Sequence, residues 1–253
     1  MSLRRFTGKV CRRGLLARSA LVLSLVAGGM LLSAGPAAAI SGCGGSNYHD
    51  YAQQYNNNTN YWGEFGWYYT YNPTVYDIYT DFTVSHAYIQ QYYASVSFVE
   101  VGWYKGYGPQ RQVSVPYYYA VHEDQYSGYQ ETDFNDYPNL GSSRLYELLY
   151  TGHDYTTNKA KWSFYYRDQT SPKLTAEVAS LDGGEPLAGG EVDGQGSDGT
   201  QIQVHGTPEW QVENHSNTWL NWTTAISTVT CADPGFSNKA NTAYTDFSAS
   251  GHL

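Results

Sequence analysis

Two glutamates stand in settings that suit acid–base chemistry. Glu100 lies in Ser97-Phe98-Val99-Glu100-Val101-Gly102-Trp103. Side chains alternate along a strand, so Val99, Val101 and Trp103 share one face, and Phe98, Glu100 and Gly102 share the other. The Val/Val/Trp face suits the core of a sandwich. Glu100 then stands on the opposite face beside an aromatic ring, with open space expected over Gly102. Glu191 lies in Leu187-Ala188-Gly189-Gly190-Glu191-Val192-Asp193. A glycine pair weakens a strand and marks a place where something approaches the backbone closely. Two neighbouring carboxylates cannot both ionise cheaply, so one serves as a base while the other holds a proton. For either glutamate alone, the competing reading is a solvated outer face.

Other chemistries lack their residues. There is no Gly-x-Ser-x-Gly elbow for a serine hydrolase. His122-Glu123 has no second histidine four residues on, so the helical zinc-protease motif is absent. No phosphate-binding glycine loop precedes a lysine. The segment Asp193–Gly199 is acidic and glycine-rich but does not meet the EF-hand calcium pattern. The sequence therefore implies no metal and no cofactor.

The elements that must hold the two glutamates read as strands. Runs rich in Val, Tyr, Trp, Phe and Thr recur between turn signals. They cover 65–71, 75–84, 96–104, 112–122, 144–150, 161–166, 174–180, 201–205, 209–213 and 218–231. In 75–84, Tyr76, Ile78, Phe82 and Val84 would face one way, Asp77 and Asp81 the other. No long window carries a convincing helical period; 144–149 comes nearest. The Asn/Gln-rich stretch 53–60 reads as loop. The expected fold is all-β, two antiparallel sheets in a concanavalin-like or jelly-roll sandwich.

The first 39 residues read as an export signal. Arg4, Arg5, Lys9, Arg12, Arg13 and Arg18 precede an apolar run from Ala20 to Leu32, too short to span a bilayer comfortably. Small residues follow, with cleavage expected after Ala39. The paired Arg12-Arg13 also fits a twin-arginine signal. Residues 40–253 then form one secreted domain. It keeps 8 of the 14 basic residues and all 23 acidic ones, a formal charge of −15. Such a surface is relieved when carboxylates protonate, which suits work in acid. It lacks the basic footprint that nucleic acid requires. Cys11 leaves with the signal. Cys43 and Cys231 remain, an even count in an oxidising compartment, so a disulfide between them is expected.

The run Phe98-Val99-Glu100-Val101-Gly102-Trp103, after the strand around Ala87-Tyr88-Ile89, resembles the "EVGW" motif of the neprosin family of secreted glutamic peptidases. Leu140-Gly141, the tryptophan strand Lys161-Trp162-Ser163-Phe164 and Gly189-Gly190-Glu191-Val192 follow in the order of that family, the last resembling its "GGEV". The likeness spans roughly residues 60–230. It implies a catalytic pair, Glu100 and Glu191, on the concave face of a two-sheet sandwich, with oxygens close enough to share a proton or one water. It also implies an endopeptidase active in acid, with cleavage after proline as the family preference. Plant members carry a separate N-terminal activation domain, for which the stretch 40–64 is too short. Glu213, in Glu209-Trp210-Gln211-Val212-Glu213, competes for the second place, because this run resembles the catalytic strand of the related eqolisin peptidases.

The alternative is a lectin-like sandwich that binds carbohydrate without catalysis. The sequence has 26 tyrosines and seven tryptophans. Tyr68-Tyr69, Tyr92-Tyr93 and Tyr117-Tyr118-Tyr119 are the candidate stacking residues. Under the peptidase reading, the partner is a polypeptide substrate and the protein is a monomer that, once its signal is cut, touches no membrane.

Overall fold

The computed structural model describes residues 49–55, 61–91, 97–166, 169–193, 202–205, 211–213, 219–221, 226–229, 237–242 and 246–250. In 49–55, 191–193 and everything from 202 onward, Trp219 aside, the description is of the backbone. Cys43, Cys231, Tyr92, Tyr93 and the acidic loop 194–200 lie outside the described residues, as does the proposed export signal.

Among the described residues, all regular elements are strands: β1 (His49–Tyr55), β2 (Gly63–Tyr69), β3 (Phe82–Gln90), β4 (Phe98–Tyr107), β5 (Gln112–Asp124), β6 (Gly128–Asp133), β7 (Ser143–Asp154), β8 (Lys159–Tyr166), β9 (Leu174–Ala179), β10 (Glu185–Asp193), β11 (Ile202–His205), β12 (Gln211–Glu213), β13 (Trp219–Asn221), β14 (Ile226–Val229), β15 (Ser237–Thr242) and β16 (Asp246–Ser250). Two antiparallel sheets result. One runs β14-β1-β10-β3-β4-β5-β6. The other runs β15-β16-β11-β2-β7-β8-β9, with β12 also on β2 and β13 on β12.

The core lies between the sheets. From the first come Ala87, Ile89, Val99, Val101, Trp103, Tyr118, Ala120 and Ala188; from the second, Tyr68, Tyr146, Leu148, Trp162, Phe164 and Tyr166. Val99 and Val101 are fully buried and Trp103 is 1% exposed, as alternation along β4 requires. The rings meet at edge and tilt: Tyr118 lies 4.3 Å from Tyr166 and 6.1 Å from Tyr146, centroid to centroid. The Trp162 indole N–H donates to the Leu181 carbonyl at 2.9 Å. At the sandwich end, Asp124 ties two sheets together. Its carboxylate accepts from the Ala179, Tyr126 and Ser127 amides and from Lys159 Nζ. Those bonds hold its pKa well below the carboxylate range despite burial.

Three sequence expectations need correction. Residues 75–81 are not strand. Asp77 Oδ1 accepts from the Tyr79 amide, its carbonyl accepts from Thr80 and Asp81, and Asp81 Oδ2 accepts from the Asp77 amide. These local bonds offer the backbone a turn in place of a ladder, and Tyr76 and Tyr79 are left exposed. Residues 53–55 are strand rather than loop, because β1 is paired on both sides, by β10 and β14. The run 218–231 is two strands, β13 and β14, in different sheets. The stretch nearest a helical period, 144–149, lies within β7.

Candidate active site

The first sheet's outward face is built from the residues that alternate with its core set. Three parallel rows of cross-strand partners matter. The first is Leu187, Tyr88, Glu100, Val121 and Glu131, on β10, β3, β4, β5 and β6. The next is Gln53, Gly189, His86, Gly102, Tyr119 and Asp133. The third includes Glu191, Val84, Tyr104 and Tyr117. Laterally paired residues, and those two apart along a strand, share a face.

Glu100 stands on this face, its side chain 13% exposed. His86 Nδ1 lies 3.0 Å from Glu100 Oε1, and the Tyr119 hydroxyl donates to the same oxygen. Both partners come from the row next to Glu100, on opposite sides of Gly102. Among the described residues, both hydrogen bonds to Glu100 fall on Oε1, which leaves Oε2 to act on a substrate or water. Aromatic rings frame the carboxylate. Tyr88 stacks on Phe98 at 4.9 Å, and Tyr104 meets Tyr119 edge-on at 5.4 Å. The Tyr104 hydroxyl donates to Asp133, which also accepts from Arg111 Nε at 3.1 Å. Burial and the Asp133 charge push the Tyr104 phenol far up, so it remains a donor.

The expectation of open space over Gly102 is corrected. A Cβ there would lie 2.0 Å from the Ser85 carbonyl oxygen and 2.9 Å from His86 Cα. The glycine serves a close approach of β3, and that approach brings His86 to Glu100.

Glu191 lies on β10 in the same sheet as Glu100, with β3 between them. Its backbone pairs with Val84, four residues along from Leu187, which shares the row of Glu100. On a flat sheet, two strand spacings and four residue rises correspond to about 16 Å between Cα atoms. The Glu191 side chain lies outside the described residues. Glu213 belongs to β12, paired with Gly63 of β2 in the other sheet.

A further carboxylate was missed by the sequence reading. Glu185, at the start of β10, is 2% exposed. Gln90 Nε2 donates to its Oε2 at 3.2 Å, while Oε1 has no partner among the described residues. Burial raises its pKa to about 7. A raised carboxylate means the folded state holds a proton that the unfolded state has lost, so stability falls as pH rises from about 4.5 to about 7. Glu185→Gln is expected to flatten that part of the stability–pH curve. Urea unfolding at pH 4.5, 5.5 and 7 checks this, the gain being greatest at pH 7 and on the order of 2 kcal/mol.

Of the candidate sugar-stacking tyrosines, Tyr92 and Tyr93 lie outside the described residues, Tyr69 is half-buried, and the other four are packed. Tyr68, Tyr117 and Tyr118 are fully buried and Tyr119 is 2% exposed. Among the described residues, no group of three or more His, Cys, Asp or Glu could hold a metal ion.

No family model matches the chain, and no curated protein matches it. Among solved structures, it is similar to scytalidoglutamic peptidase bound to a peptide-based transition-state analogue, with 10% identity and a TM-score of 0.51. A second structure of that enzyme, with a transition-state analogue inhibitor, gives 8% identity and a TM-score of 0.53. Each likeness covers 82% of this chain and 100% of the other. At these identities the likeness is one of fold: the chain shares the two-sheet sandwich of a glutamic peptidase.

Proposed function

We propose that this protein is a secreted glutamic endopeptidase that hydrolyses peptide bonds in acid through Glu100 and Glu191. The observation that carries the reading is the setting of Glu100. Its carboxylate stands on the outward face of one sheet, held at one oxygen by His86 and Tyr119 and framed by aromatic rings. The fold likeness to a peptidase supports it, as does the placement of Glu191 in the same sheet.

In this mechanism Glu100 is ionised and takes a proton from water through Oε2. The water oxygen attacks the scissile carbonyl carbon. Glu191, protonated, donates a hydrogen bond to the carbonyl oxygen and stabilises the charge that develops there. Collapse of the tetrahedral species breaks the C–N bond, and the proton held by Glu100 passes to the leaving amine. Opposite protonation states for two carboxylates are the usual outcome when they face one substrate. Cleavage after proline is the specificity that the family resemblance implies.

Incubation with an unfolded, proline-containing protein between pH 2.5 and 6 tests the reading. Defined fragments are expected, unaffected by chelators and by serine or cysteine protease inhibitors. No cleavage across that range would favour a binding sandwich instead.

A further inference from the structure

His86 has no role in the mechanism given above. It lies on β3, the strand between those of Glu100 and Glu191. Its two lateral partners are both glycines, Gly102 on β4 and Gly189 on β10. Glu100 is two residues from Gly102, and Glu191 is two residues from Gly189. The register places them on opposite diagonals of His86. Diagonal neighbours of this kind lie within reach of a long side chain, whereas Glu100 and Glu191 are one such step further apart.

The imidazole is 3% exposed and already bonded to Glu100 Oε1 at 3.0 Å. Burying a histidine is costly without a partner, and a carboxylate at that distance favours its charged form. Among the described residues, the following groups surround it. Glu100 and Tyr104 come from β4, and Tyr119 from β5. From β6 come Glu131 and Asp133, the latter engaged by Tyr104 and Arg111. Tyr88 neighbours it on β3, and the backbone positions of Glu185 and Glu191 lie along β10. On the core side, Glu64 accepts from the Tyr88 amide and the Tyr68 hydroxyl.

We propose that His86 is the third member of the site, a positioning residue on the strand between those of Glu100 and Glu191 that holds Oε1 of Glu100 and so orients Oε2 toward the attacked bond. The proposal rests on the peptidase reading for its catalytic consequence, but the pairing itself does not. It gives Gly102 a purpose: a side chain there would push the β3 backbone at Ser85 and His86 away from β4.

Two variants and two readouts test it. His86→Gln retains a donor without charge; His86→Ala removes both. In each, kcat is expected to fall roughly 10–100-fold, the size of one charge-assisted hydrogen bond, with KM within about twofold of wild type. The acid limb of kcat against pH should shift, because a titratable imidazole no longer stands 3.0 Å from the Glu100 carboxylate. A purely structural role would move neither the limb nor the split between kcat and KM. Independently of activity, the His86 imidazole, followed by NMR, should titrate at lower pH in Glu100→Gln than in wild type. A folded His86→Gln with unmoved kcat and unmoved acid limb overturns the catalytic role. An unchanged imidazole titration in Glu100→Gln overturns the pairing. Should wild type cleave nothing, the peptidase reading falls, and the titration alone decides whether His86 and Glu100 are paired.

Discussion

Glu100→Gln is expected to lower kcat/KM by about 10³-fold or more while leaving the thermal midpoint near that of wild type. The loss follows from chemistry. An amide cannot take a proton from water, and general-base catalysis is worth roughly 10²–10⁴-fold. Stability is spared because the amide keeps the size of the carboxylate and still offers an oxygen to Tyr119 and His86. Thermal denaturation beside single-turnover proteolysis at the same pH checks both halves. A variant that loses activity only as it loses structure would place Glu100 among the structural residues.

The second large effect concerns a residue with no reactive group. Gly102→Ala is expected to destabilise the protein by about 3 kcal/mol or more, the upper end for an overpacked site. The neighbours of the new Cβ are backbone atoms of β3, the Ser85 carbonyl oxygen at 2.0 Å among them, and they cannot rotate away. To admit the methyl group, β3 must move from β4 and take His86 with it. Activity should therefore fall further than the folded fraction does. Urea midpoints and activity per folded molecule separate these terms; a variant of wild-type stability would mean that β3 does not approach β4 so closely.

The residues of β4 were the most legible part of the chain. Alternation alone placed Val99, Val101 and Trp103 inward and Glu100 outward, because period-2 pleating is local. The motifs around Glu100 and Glu191 put both residues in one sheet. What sequence could not supply was register. His86 and Tyr119 reach Glu100 only because Gly102 stands opposite both, a relation between residues 16 and 17 positions apart that no local pattern carries. Glu185 was hidden for a similar reason: its burial comes from the strands and loops around it, not from its neighbours in sequence. The turn at 77–81 failed in the opposite way. An alternating pattern was present, but two aspartates bonding to nearby amides outweighed it. The polar strand β6 was overlooked because it lies at a sheet edge, where alternation need not be apolar.

The central claim is that Glu100 and Glu191 act as one unit. Its most direct test is the cycle of Glu100→Gln, Glu191→Gln and the double variant, compared by kcat/KM at the pH of maximal wild-type activity. Groups that serve one step are strongly non-additive. Each single change is expected to cost about 10³-fold or more, and the double variant should be little worse than the more damaged single one. Glu213→Gln, on β12 of the other sheet, should remain within about tenfold of wild type. A Glu191→Gln protein that keeps wild-type activity, or a double variant whose loss is the product of the two single losses, would contradict the account.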